Sequence, residues 1–232
     1  VRSRKSQRLV RRTLPAAAEK YPEVAKAIAD AGHDIAGHGF FHEALWRLSR
    51  EEEDQVFLKT LGTLERVTSY RPRGSRSCAA SPRTLHTATR MGLEWDSSMW
   101  NDEYPYLLSL GDGKILVEIP FTINNDINFM GGGITPPAYV IGKMRTPKNA
   151  LESWKAELDA CLNDSSGKAR MMTFCIHDYM SGHAANSKAF ETFADYAKGD
   201  DRVWVTTYSV MASWWKKLCA DSDQFVDNFP VL

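Results

Sequence analysis

Gly32-His33-Asp34-Ile35-Ala36-Gly37-His38-Gly39-Phe40-Phe41-His42 is the stretch from which this chain is best read. Ile35-Ala36 is a short apolar run of the kind a buried strand carries, and His38 and His42 follow it four residues apart. A strand that ends in a loop bearing two imidazoles is a common way to hold a divalent metal. Imidazole nitrogen suits zinc first, with cobalt, nickel or iron as alternatives. Two histidines alone bind weakly, so a third ligand is expected elsewhere. The other reading of the pair is two structural histidines.

Outward from this stretch, helix and strand signals alternate from about residue 20 to the end. Tyr21-Pro22-Glu23 opens a helix whose apolar face is read as Val24, Ala27, Ile28 and Ala31, and Gly32 ends it. Ser49 with Glu52 forms a capping box for a long helix, with Phe57, Leu58, Leu61, Leu64 and Val67 on one side. Ser81-Pro82 opens another helix that stops at Gly92, and Thr146-Pro147 starts one carrying Leu151, Trp154, Leu158 and Leu162. Leu93 to Trp95, Ile115 to Ile119, Met171 to Ile176 and Val203 to Val205 read as strands; Met211, Trp214 and Trp215 mark a last helix. Strand-then-helix repetition predicts an α/β fold with a parallel sheet, open or closed into a barrel. In such folds the chemistry sits at the carboxyl ends of strands. His38 and His42 follow one strand, Asp96 ends another and His177 follows a third, so one rim is expected to gather them. Residues 121–145, with Gly131-Gly132-Gly133 and Pro136-Pro137, read as a long loop over the barrel mouth.

Composition narrows the function classes. A chain of 232 residues, 43% hydrophobic and 25% charged, fits one large domain with a full core. Zero formal net charge gives no reason to expect nucleic acid as a partner, and no apolar run is long enough to span a bilayer. The charge is uneven: Arg2, Arg4, Lys5, Arg8, Arg11 and Arg12 crowd the first dozen residues, and without them 23 bases face 29 acids. Residues 1–18 are read as a basic, atypical or disordered N-terminus and 19–232 as the folded domain. No apolar segment of a secretory signal follows the basic run, which points to the cytoplasm. Cys78, Cys161, Cys175 and Cys219 form no CxxC pair and read as free thiols.

At this point a resemblance is visible. The two-histidine stretch is similar to the histidine motif of the NodB-homology polysaccharide deacetylases, carbohydrate esterase family four. Tyr70 to Ser77 with Ser81-Pro82-Arg83-Thr84 resembles that family's arginine-bearing motif. Trp95-Asp96-Ser97-Ser98, Asp102 to Tyr106 and Leu116 to Pro120 resemble the block that follows. Ile176 to His183 resembles the final catalytic-histidine motif. The motifs run in the family's order over about residues 20–217, and within the family they look most like the branch of allantoinase-like and cyclic-imidase-like hydrolases.

The resemblance implies a NodB-type distorted (β/α) barrel and a site assigned residue by residue. His38 and His42 match the metal-binding histidines. His177 matches the general acid, a role that suits imidazole, and Asp178 is expected to orient it. Arg76 matches the arginine that orients a catalytic carboxylate, with Arg71 as the alternative and Arg73 read as facing solvent. Trp100, Tyr104 and Tyr106 are candidates for lining a substrate cleft, or for the core, and Asp126 is a candidate substrate contact. The implied cofactor is a divalent metal.

The family's first motif, an Asp-Asp pair giving a general base and a third metal ligand, has no match here, because no acid precedes Glu19. Arg2 to Pro15 lacks hydrophobic alternation, so the barrel is expected to miss its N-terminal strand or strands. Asp102, Glu43 or Asp126 are the available substitutes. Three functions are carried forward: metal-dependent hydrolysis of a non-peptide amide, as in polysaccharide deacetylation; hydrolysis of a cyclic imide or allantoin-type amide; and an inactive pseudoenzyme or binding module. The expected partner is a small-molecule or carbohydrate amide, with self-association into a homo-oligomer left open.

Overall fold

The computed structural model describes residues 10–13, 15–77, 79–110, 114–122, 126 and 146–220. The basic residues Arg2, Arg4, Lys5 and Arg8, and all of the 121–145 loop except Phe121, Thr122 and Asp126, lie outside the described residues. The chain divides into two units, one of residues 1–99, 105–120 and 206–232 and one of residues 100–104 and 121–205.

The first unit is built on a six-stranded sheet. Its strands are β1 (Val10–Thr13), β2 (Asp34–Gly37), β3 (Gly74–Ser75), β4 (Trp95–Asp96), β5 (Tyr106–Ser109) and β6 (Ile115–Glu118), in spatial order β1-β2-β3-β4-β6-β5. Every neighbouring pair is parallel except β5 with β6. All four residues of β2 are buried, as a strand covered on both faces requires. The parallel register runs Gly37–Ser75, Ser75–Asp96 and Asp96–Glu118, so four strands end level with one another.

Helices α1 (Pro15–Lys20), α2 (Pro22–Asp30), α3 (Arg50–Thr68) and α4 (Thr84–Arg90) connect these strands. Ser49 and Glu52 close the expected capping box on α3, and Glu51, Glu52 and Glu53 complement the helix dipole at its first turn. Phe57, Leu61 and Leu64 pack inward, but Leu58 is 52% exposed, because it lies about 100° round the helix from Phe57. The apolar face of α2 is likewise turned by one residue: Ala25 is buried with Ile28 and Ala29 packed beside it, and Val24 faces solvent. Leu45, Phe57, Leu61, Leu85, Leu93, Leu108 and Leu116 form the main core, which seals α3 and α4 to the sheet.

Two glycines are set by close approach or backbone sign. A Cβ on Gly74 would lie 2.0 Å from the ring of Trp95, which is fully buried in the next strand and donates through Nε1 to Ser209 Oγ. Gly39 has φ +72, a left-handed conformation that suits glycine.

The N-terminal reading needs correction. Val10–Thr13 is a strand, paired with β2 over four residues, and Pro15–Lys20 is a helix, so sheet and helix begin before the expected boundary at residue 19. Hydrophobic alternation did not reveal β1 because an edge strand is held by a backbone ladder on one side and does not need two apolar faces.

In the second unit, α5 (Pro147–Leu162) starts at a Thr146–Asn149 capping box and is followed by a single turn, α6 (Asp178–Ser181), and by α7 (Ala184–Gly199). Trp154, Leu158, Ala189 and Phe193 form its core, with Phe174 stacked on Phe193 at 5.0 Å. Two expected strands are absent among the described residues. Residues 171–176 contain only one bridged position, Cys175, and 203–205 form no ladder. Side-chain bonds do the joining instead: Thr122 N donates to Thr173 Oγ1, and Thr122 Oγ1 donates to the Thr173 carbonyl. Helix α8 (Tyr208–Ala220) belongs to the first unit and opens at Asp34, whose carboxylate accepts from Ser209 N. Among the described residues no helix is long and apolar enough to cross a membrane.

Candidate active site

The carboxyl end of β2 delivers His38. Its Nδ1 lies 2.6 Å from the backbone carbonyl of Arg76. A carbonyl can only accept, so Nδ1 carries the proton and Nε2 is the acceptor nitrogen of the neutral ring. His42 sits with its ring centroid 4.8 Å from that of His38 and its plane turned by 84°. The turn between them is held by Glu43, whose Oε2 accepts from Phe40 N at 2.8 Å and whose Oε1 accepts from Phe41 N at 3.0 Å. His42 itself has φ +67, a strained setting for a residue with a side chain, of the kind that gathers at binding sites.

This donor pair fits a divalent metal in its chemistry: two imidazole nitrogens, one with its tautomer set by a backbone carbonyl, as is usual for metal-binding histidines. No cluster of three His, Cys, Asp or Glu side chains able to hold a metal occurs among the described residues. The three acids considered as substitutes each have a local commitment. Glu43 holds its own turn, Asp102 Oδ1 accepts from Glu103 N and Tyr104 N, and Asp126 is bound to His177.

The level ends of β3, β4 and β6 carry Arg76, Asp96 and Glu118. Arg76 is 4% exposed, and its backbone N–H donates to the Gly37 carbonyl at 2.9 Å. Arg71, the alternative, is exposed and paired with Glu65. Arg73, expected to face solvent, instead makes a two-pronged pair with Glu94 and reaches Ser213 on α8. Asp96 and Glu118 are both fully buried. Burial pushes both carboxyls up from their ordinary range, and the neighbouring Asp96 charge adds to the rise of Glu118 to about 9.

In the second unit, His177 precedes α6. Its ring Nδ1 donates to Asp126 Oδ1 at 2.7 Å and its backbone N–H donates to Asp126 Oδ2 at 2.7 Å. Ser181 Oγ donates to the same Oδ2 at 2.7 Å. Burial opposes the Asp126 charge, but the bonds from His177 and Ser181 outweigh it and hold the carboxyl below its ordinary range. Asp126, expected to contact substrate, is therefore fully buried and turned to its own chain. Asp178, expected to orient His177, instead accepts from Tyr179 N. Spacing could not reveal the true partner, because Asp126 lies 51 residues away.

The aromatic candidates separate. Trp100 is 65% exposed with its ring 5.0 Å from Phe121, and Tyr104 lies under the Arg170 guanidinium at 5.8 Å. Tyr106 belongs to the first unit, where it packs against the main core. Glu43, Glu118 and Ser181 were not anticipated in these roles. For Glu118 a signal exists: it is a charge at the end of the apolar run Ile115-Leu116-Val117.

Residues 13–94 match the family model described as polysaccharide deacetylase. A peptidoglycan deacetylase of Helicobacter pylori is 32% identical over 97 residues, 40% of this chain and 33% of that protein. The chain thus matches about a third of the length of this curated relative. A crystal structure from Mycobacterium smegmatis, classed as a polysaccharide deacetylase, superposes with a TM-score of 0.82 at 28% identity, covering 96% of this chain and 76% of that one. The PuuE allantoinase superposes with a TM-score of 0.78 at 23% identity over 90% of this chain and 68% of that one, a likeness of fold. The fold class is accordingly that of the NodB-type (β/α) barrel.

Proposed function

We propose that this chain, whose residues 13–94 match the polysaccharide deacetylase family model, hydrolyses a non-peptide amide C–N bond with the help of a divalent metal, zinc by donor type. The observation that carries this reading is His38: its proton is fixed on Nδ1 by the Arg76 carbonyl, the tautomer in which Nε2 is the coordinating nitrogen. His42, at 4.8 Å, would supply the second nitrogen. A metal bound there would polarise the acyl carbonyl and ease loss of a proton from attacking water.

The residues of the chain would do the rest. The Arg76 carbonyl keeps His38 in the binding tautomer. Asp126 keeps the His177 proton on Nδ1, and His177, matched to the family's catalytic histidine by its motif, is the proposed general acid. Water adds to the acyl carbon, the C–N bond breaks, and a carboxylic acid and an amine result. The curated relative is named a peptidoglycan deacetylase, and this favours an N-acetyl amino sugar over a cyclic imide or allantoin as the substrate class.

One observation supports a second reading, in which the described chain binds metal but turns over weakly or not at all. Glu43, Asp102 and Asp126 are each engaged locally and do not complete a three-ligand cluster. A single set of measurements tests both. The purified chain is titrated with Zn(II) and Co(II), then assayed for acetate release from chitooligosaccharides and for ring opening of cyclic imides and allantoin. Metal binding lost in His38→Ala, together with acetate release, supports the first reading. Binding without any turnover supports the second, and no binding by the folded chain removes both.

A further inference from the structure

Asp96 and Glu118 form a buried acid pair that no step above uses. They stand opposite one another on parallel strands, and neither side chain reaches solvent. Asp96 is filled by donors: Ser75 Oγ to Oδ2 at 2.6 Å and Ser98 N to Oδ1 at 2.9 Å. Glu118 Oε1 accepts from Met99 N at 2.9 Å, while Oε2 meets no donor among the described residues. Two buried carboxylates side by side cannot both stay charged. A proton on Glu118 turns its unmatched oxygen into a donor and leaves Asp96 the anion that its two donors require.

Asp96 grips the backbone on both sides of Arg76, once directly and once through Ser98. Asp96 binds Ser75 directly. It also binds Ser98 N, and Ser98 Oγ in turn accepts from Ser77 N at 2.8 Å. Between these two anchored residues, Arg76 presents the carbonyl that takes the His38 Nδ1 proton.

We propose that Asp96 and Glu118 share one proton and act as a positioning pair, which holds the Ser75–Ser77 segment so that the Arg76 carbonyl fixes the tautomer and aim of His38. Neither acid touches substrate in this role. The consequence for metal affinity rests on the proposed function; the positioning itself does not. The raised proton affinity of both carboxyls agrees with a shared proton.

The test uses the full chain free of metal, with the His38 Nδ1–H resonance followed by NMR and assigned through His38→Ala. Ser75→Ala and Asp96→Asn are expected to speed exchange of that proton about tenfold or more, and to weaken Zn(II) binding by about 10–100-fold. Glu118→Gln keeps a donor towards Asp96 and is expected to leave both quantities at the wild-type value. Unchanged exchange in Ser75→Ala and Asp96→Asn overturns the proposal. Glu118→Gln behaving like Asp96→Asn overturns the shared proton. Circular dichroism checks folding; if Asp96→Asn does not fold, Ser75→Ala, which removes a single hydroxyl, decides. A wild-type chain that shows the exchange pattern but binds no Zn(II) refutes the metal reading while leaving the positioning role in place.

Discussion

His177 Nδ1 donates to Asp126 Oδ1 at 2.7 Å, and Asp126 takes two further bonds on its other oxygen. The carboxylate thus fixes which ring nitrogen carries the permanent proton. Asp126→Asn is expected to lower kcat about 100-fold or more, within the range of about 10²–10⁴ that a general acid contributes, and His177→Ala is expected to fall in the same range. The stability effect has a definite sign. A carboxyl held below its ordinary range stabilises the fold above that range and loses the contribution as pH falls through the lowered value. Urea midpoints of wild type and Asp126→Asn should therefore converge as the pH drops below the ordinary carboxylate range.

Glu118 gives the opposite slope. Its folded value is raised from 4.5 to about 9, so between these limits the folded chain keeps a proton that the unfolded chain has released. Its contribution is complete below the unfolded value and is lost as pH rises through the folded one. Thermal melts between pH 5 and pH 9 should show wild type losing stability relative to Glu118→Gln. Parallel curves for the two proteins would contradict this.

His42 holds a left-handed backbone at φ +67. Glycine adopts that conformation without a side-chain penalty, so His42→Gly is expected to stabilise the chain by about 1 kcal/mol while weakening metal binding. Chemical denaturation and Co(II) titration of the same sample check both halves. A destabilised variant would show that the His42 side chain is held by packing.

Gly74 lies against the ring of Trp95, where an added Cβ would come within 2.0 Å. The indole is fully buried and tied to Ser209, so it has little room to move. Gly74→Ala is expected to cost about 3 kcal/mol, at the upper end for overpacked cores, and to expose Trp95 to solvent. Fluorescence-monitored unfolding measures both.

Local patterns were legible where the physics is local. The Ser49–Glu52 cap, the start of α5 at Thr146-Pro147, its face with Trp154 and Leu158, and the places of β2 and β6 could be read because each depends on residues within a turn or two. The face of α2 was misread by one residue, since Val24 and Ala25 are both apolar and only packing chooses between them. Residues 171–176 and 203–205 look like strands by composition, but a strand also needs a neighbour to share a ladder.

The sequence by itself determined the family resemblance, the alternation of strands and helices, and the pair His38 and His42 on one turn, because motif order and spacing are written along the chain. Only the tertiary structure decided which acid holds His177, that Val10–Thr13 joins the sheet, and that Asp96 and Glu118 share a buried place behind Arg76. The reason is distance along the chain. The bond from His38 to Arg76 spans 38 residues and that from His177 to Asp126 spans 51. Contacts of that separation are set by strand register and burial, and local propensity carries no trace of them.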